Sequence, residues 1–243
     1  MAERILFVLE GEKPEKQILR NVENLFFGSQ QLKVLFGAEV YQLCRSIEED
    51  PDLDLFELLK GRSDRNYRAL EDYTRKDFSQ IYLFFDYEGQ ASAASDDDLD
   101  HLLEHFNNET EAGKLFVSYP MVEALKDINR VDDFKDFTVS AFISGKKAYK
   151  KLASERTGFP VFKKFSKEDW QFIIKENEKK ANLIVGGGYK TPPVLLEQPQ
   201  ILYGQITTCK DPHELIGVLS AFPFFLLDYF GWETLEEKLG SES

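Results

Sequence analysis

Two short apolar runs, each ending in an acid and then a glycine, constrain this chain most. Residues 5–9 (Ile-Leu-Phe-Val-Leu) lead straight into Glu10 and Gly11, with Pro14 close behind. Residues 81–85 (Ile-Tyr-Leu-Phe-Phe) lead into Asp86, Tyr87, Glu88 and Gly89. Apolar runs of this length, bounded by Gly or Pro, suit buried strands. Pro14 sits where the first turn of a helix tolerates it, and Glu15 lies near that helix's positive end. In open α/β sheets the carboxyl ends of the central strands are where ligands bind.

The chain between these runs alternates strand and helix patterns. A first helix is expected to about Phe27, then a second strand over 32–37, with helical spacing at 40–47, 52–59 and 65–74. After the 81–85 strand, Ser95 and Asp98 form a capping-box start for a helix to Phe106. A fourth strand follows at 115–117. This alternation predicts an α/β fold with a parallel sheet flanked by helices. Beyond it the patterns are helical, over 139–154, 170–183 and 212–230, with one short strand-like piece at 183–185. The expected organisation is therefore an α/β domain over 1–127 and a mainly helical region over 128–243.

The net charge of −13 argues against nonspecific nucleic-acid binding by bulk charge. It leaves room for a local basic groove, or for acids offset by bound cations. Cys44 and Cys209 form no motif, which fits a reduced, cytoplasmic protein. No leader pattern is visible, and the most apolar run, 215–230, is interrupted by Pro223 and Asp228, so no membrane is expected.

If the two acid-tipped strands are neighbours, Glu10, Asp86 and Glu88 share one sheet edge. Converging carboxylates repel one another without a cation. Hard divalent ions such as Mg²⁺ or Mn²⁺ take oxygen ligands of this kind. Such ions activate water and stabilise the leaving oxygen of a phosphodiester. The competing reading is that these acids are solvated or cap the next helix.

Leu9-Glu10-Gly11 with Glu15, Asp86-Tyr-Glu88, and Ser118-Tyr-Pro-Met-Val-Glu123 occur in that order on the expected strands one, three and four. The set resembles the motifs of the Toprim domain, in the form found in OLD-like and abortive-infection proteins. Glu88 stands where that family has Asp, and the resemblance covers residues 2–125. It implies a Toprim-like sheet and a metal-dependent nuclease acting on DNA or RNA. Glu10 would be metal ligand or general acid/base, and Asp86 and Glu88 metal ligands. Glu15 would be a further ligand or supporting acid, and Glu123 a supporting acid. It also implies an effector of bacterial anti-phage defence beside a partner ATPase. That ATPase would be a separate protein, because this chain carries no Walker A sequence. The alternative is a catalytically silent Toprim-like regulatory module that binds a partner protein or nucleotide.

Three further features add expectations. Asp96 and Asp98 extend the metal site or serve a helix N-terminus, and the second reading is favoured. Lys146, Lys147, Lys150 and Lys151 form a basic helical face interleaved with Tyr149, suited to a phosphate backbone or simply to solvent. The apolar pattern over 222–232 is core, or a patch for a homodimer or partner chain.

Overall fold

The computed structural model describes residues 4–28, 31–36, 43, 45–46, 49, 54–87, 95–141 and 146–240. The first apolar run forms strand β1 (Arg4–Leu9), fully buried from Ile5 onward. Helix α1 (Lys13–Val22) has Pro14 in its first turn and continues as a π-helical turn, Glu23–Phe27. Strand β2 (Gln31–Phe36) comes next, then helices α2 (Leu55–Gly61) and α3 (Asp64–Leu70), capped by the side chains of Asp54 and Ser63. Strand β3 (Gln80–Asp86) precedes helix α4 (Asp96–His105), where the Ser95–Asp98 capping box forms as expected. A two-residue strand, β4 (Asn107–Asn108), and strand β5 (Gly113–Ser118) complete this half. The helix expected over 40–47 falls mostly outside the described residues.

The sheet order is β2-β1-β3-β5-β4, parallel except for β4. The chain leaves β1 toward β2 on one side and later returns to add β3 on the other. Strand order therefore reverses beside β1, which makes its carboxyl end the switch point of the sheet. β1 and β3 are direct neighbours, with Leu9 opposite Phe84.

The second half is built onto this sheet. A 3-10 turn (Val122–Leu125) leads to strand β6 (Thr138–Ser140) and helices α5 (Lys146–Arg156), α6 (Lys167–Ile184) and α7 (Gln198–Gly204). α7 runs into a π-helical stretch, Gln205–Lys210. Strand β7 (Leu215–Gly217) pairs antiparallel with β6, and helix α8 (Ala221–Leu239) closes the fold, bent at Gly231 where φ is 69°.

Three sequence expectations are corrected here. Helix does not begin at 139, because Thr138–Ser140 is a strand. The 212–230 pattern is a strand followed by a helix, with Glu214 in the left-handed region (φ 54°) breaking it. The piece at 183–185 is the end of α6 rather than a strand.

The aromatic residues explain how the halves are joined. Period-two alternation puts Phe7, Tyr82, Phe84 and Phe116 on one sheet face. Phe225 of α8 packs edge-on against Phe7 and Tyr82, with ring centroids 5.3 and 4.9 Å away. Phe222 stacks on Phe84 at 4.7 Å. Each such pair adds about 0.5–1.5 kcal/mol beyond simple burial. Lys114 of β5 and Asp228 of α8 add an ion pair at 2.5 Å. One hydrophobic core thus runs through both halves of the chain. Residues 224–227 of α8 face that core, while Tyr229, Phe230 and Trp232 are half-buried. Most of the apolar surface considered for a homodimer is therefore covered by the chain's own sheet. Among the described residues no helix is long and apolar enough to cross a membrane.

Candidate functional site

β1 ends at Leu9, so Glu10 emerges at the switch point, and its side chain turns toward β3. Its Oε2 accepts a hydrogen bond from the Asp86 backbone N–H at 3.3 Å. This contact extends the β1–β3 pairing by a side chain. Asp86 is the last residue of β3, and its Oδ1 accepts from the Val122 N–H at 2.8 Å. Val122 is held in place because the chain after β5 is clamped to the segment before α8. Tyr119 and Leu219 exchange backbone hydrogen bonds of 2.8 and 3.0 Å. Glu123 is the next residue, and it is buried.

Glu15 reaches the same place from the first turn of α1. It folds back so that its Oε1 accepts from the Gly11 N–H at 3.1 Å. A side chain at position 11 would overlap the Glu15 carboxylate, so glycine here permits the close approach. The adjacent Glu12 points elsewhere and pairs with Arg65 through two contacts of 3.1 and 2.9 Å on the surface.

Three carboxylates, Glu10, Glu15 and Glu123, therefore act on Asp86, and Glu123 acts on Glu15 as well. Asp86 holds its proton far above the ordinary carboxylate range. Burial is the main cause, and the charges of Glu10, Glu15 and Glu123 reinforce it against the Val122 hydrogen bond. Glu15 is shifted upward as well, by burial first, with Glu123 adding to it and Gly11 and Lys150 opposing. A cation meets the cluster: Lys150 Nζ stands 3.2 Å from Glu123 Oε1. Two oxygens, Glu15 Oε2 and Glu123 Oε2, are buried without a hydrogen-bond partner among the described residues. Leaving buried acceptors unpaired costs about 1–3 kcal/mol each.

These donors fit a hard divalent cation in their chemistry: all are carboxylate oxygens, two lack partners, and the surrounding charge is negative. Among the described residues, no three metal-ligating side chains already stand in a metal-enclosing arrangement. Glu88 lies outside the described residues.

The remaining expected site residues lie elsewhere or act differently. Asp98 closes the capping box of α4, accepting from Ser95 N at 2.6 Å. Asp96 accepts from the Tyr87 hydroxyl at 2.6 Å and pairs with Lys210. Neither is among the acids acting on Asp86. Lys150 bonds to the acid cluster rather than standing only on a basic face. Lys147 is exposed, Lys151 reaches Glu155 at 3.8 Å, and the Lys146 side chain lies outside the described residues. Sequence reading did not anticipate the Lys150–Glu123 pair. Its signal is weak, since 27 residues separate the two positions.

The class defined by fold and site is a parallel α/β protein with a carboxylate cluster at the switch point of its sheet. Compared with protein-family models, curated proteins and solved structures, the chain gives no significant match to any of them.

Proposed function

We propose that this protein is a Mg²⁺- or Mn²⁺-dependent nuclease of the Toprim kind. The observation that carries the reading is the placing of Glu10 and Asp86 at adjacent strand ends with the charges of Glu15 and Glu123 acting on Asp86, and two buried carboxylate oxygens without a hydrogen-bond partner among the described residues. Glu10, Asp86 and Glu123 are the residues that would hold the cation, with Glu15 behind them. A cation bound there would lower the pKa of a water and stabilise charge on a phosphodiester.

The chain's own groups do the rest. The Val122 and Gly11 N–H groups fix the orientation of Asp86 and Glu15. Glu10 is partly exposed, its Oε2 accepts from the Asp86 N–H, and it is placed to take a proton from a water as general base. Lys150 restrains Glu123 and offers positive charge toward a phosphate. A role in anti-phage defence with a separate ATPase is part of the same proposal and rests on the motif resemblance.

The test is cleavage of DNA and RNA oligonucleotides by purified protein with Mg²⁺ or Mn²⁺. Glu10→Gln and Asp86→Asn should each lower the rate by about 10²–10⁴-fold while remaining folded. Wild-type rates in both variants would overturn the assignment. The second reading, a silent regulatory module, draws on the Lys150–Glu123 pair, which already supplies the cluster with one internal cation. On that reading neither cleavage nor a response to divalent ions occurs.

A further inference from the structure

A cleft of ≈ 330 Å³ opens beside the acid cluster, and Glu123 belongs to both. Its walls come from both halves of the chain: the start of α1, the turn after β5, α5, and the segment that follows α5. Among the described residues Lys13, Lys126 and Lys150 line it with one acid, Glu123, and with Ser154 and Thr157. Lys126 Nζ donates to Ser154 Oγ at 3.0 Å, which holds that cation at the cleft wall. Lys150 already neutralises Glu123, so the lining carries an excess of two positive charges in a chain whose net charge is −13. The far wall, Phe159 to Phe162, is apolar and includes Val161 at 54% exposed.

This combination selects a ligand with a phosphate at one end and an apolar ring at the other. The volume lies near the lower limit of small-ligand pockets, about 300–1,000 Å³, which suits one nucleotide unit and excludes a duplex. A cationic groove with an apolar wall is how single strands are tracked without sequence readout. We propose that the cleft binds one nucleotide of a single nucleic-acid strand, its phosphate held by Lys13, Lys126 and Lys150. The neighbouring phosphodiester of that strand would then lie at the acid cluster. The inference rests on the nuclease reading for its substrate class, and it gives the helical half a role: one wall of the substrate groove.

The test reads binding without cleavage. A fluorescein-labelled single strand is titrated with protein in EDTA across a salt series and followed by anisotropy. Wild-type protein should bind the single strand more tightly than a blunt duplex of the same sequence. The double variant Lys13→Ala/Lys126→Ala should weaken single-strand binding at least tenfold. It should also flatten the dependence of log affinity on log salt by about 1.4, at about 0.7 per lost contact. Exposed Lys13→Ala alone should flatten it by about 0.7, which keeps the test valid if the double variant is unstable. Lys76→Ala, at the opposite end of β3, should change neither quantity.

Unchanged affinity and slope in the double variant would overturn the proposal. So would equal affinity for the duplex, or full competition by a mononucleotide at the concentration of the strand. Cleavage is scored separately in Mg²⁺. If cleavage depends on Asp86 but binding ignores the lysines, the cleft assignment falls and the nuclease reading stands. If binding depends on the lysines but no condition gives cleavage, the cleft stands and the nuclease reading falls.

Discussion

Glu123 and Asp127 lie one turn apart after β5, and they are buried in opposite ways. Asp127 is fully buried and fully answered from within the chain. Arg156 approaches both its oxygens, with Nε at 2.8 Å from Oδ1, and the Tyr149 hydroxyl donates at 3.0 Å. Glu123 has one oxygen near a half-exposed lysine and the other without a hydrogen-bond partner among the described residues, and its charge acts on Asp86 and Glu15. Asp127 comes with its own cation, the Arg156 guanidinium. The Glu123 group instead accumulates negative charge that the chain only partly offsets, which is how a cation-dependent site is built. The difference lies in packing and electrostatics rather than in residue type, and substitutions can probe it.

Asp127→Ala should have the largest effect on folding. It would strand a partly buried guanidinium and a buried hydroxyl, costing about 3–5 kcal/mol in urea denaturation. A loss below about 1 kcal/mol would remove the contrast between the two acids.

Glu178 provides a third case, a buried acid whose two oxygens have no hydrogen-bond partner among the described residues. Burial, with Glu236 adding, pushes its pKa up to about 8. Between the ordinary value of 4.5 and about 8, the folded protein binds more protons here than the unfolded chain does. Stability from this group is therefore greatest below that window and falls as pH rises through it. Glu178→Gln should flatten that decline and stabilise the protein by about 1–3 kcal/mol near its upper end. Denaturation midpoints at several pH values check this, and an unchanged slope would refute it.

Gly11→Ala sharpens the comparison at the cluster itself. The added methyl collides with the Glu15 carboxylate. The expected cost is about 1–3 kcal/mol, with Glu15 displaced and any divalent-dependent activity reduced. Lys150→Met should be the mildest change, within about 1 kcal/mol in stability because the pair is half-exposed. It should raise the Glu15 carboxyl further, since Lys150 opposes its upward shift. Carboxyl NMR titration reads that directly.

Much of the sheet was legible in the sequence because β1 and β3 are buried on both faces and read as unbroken apolar runs. Acids placed at the ends of such runs were bound to share an edge once the strands proved adjacent. Glu15 and Glu123 were picked out only as what the motif resemblance implies, through Leu9-Glu10-Gly11 with Glu15 and through Ser118-Tyr-Pro-Met-Val-Glu123. β6 and β7 were not legible. Each has three residues and exists through pairing across about 75 positions, a cue that no local window contains. Val139 also fitted the helical spacing that continues into α5. Leu215–Gly217 merged with the apolar residues of α8, and nothing local announced the left-handed turn at Glu214. The Asp127–Arg156–Tyr149 network escaped for the same reason, being assembled from separate elements.

The central claim is that Glu10, Glu15, Asp86 and Glu123 form a divalent-cation site. Thermal unfolding of wild type and Asp86→Asn, each in EDTA and in excess Mg²⁺ or Mn²⁺, tests it most directly. Without metal the variant should melt no lower than wild type, because the amide, like the protonated acid, carries none of the charge that burial and the neighbouring acids penalise. With metal the wild type should rise in Tm, by the equivalent of about 2.7 kcal/mol at a hundredfold excess over Kd, and the variant should not. A wild-type Tm indifferent to both ions, or an equal rise in Asp86→Asn, would contradict the account.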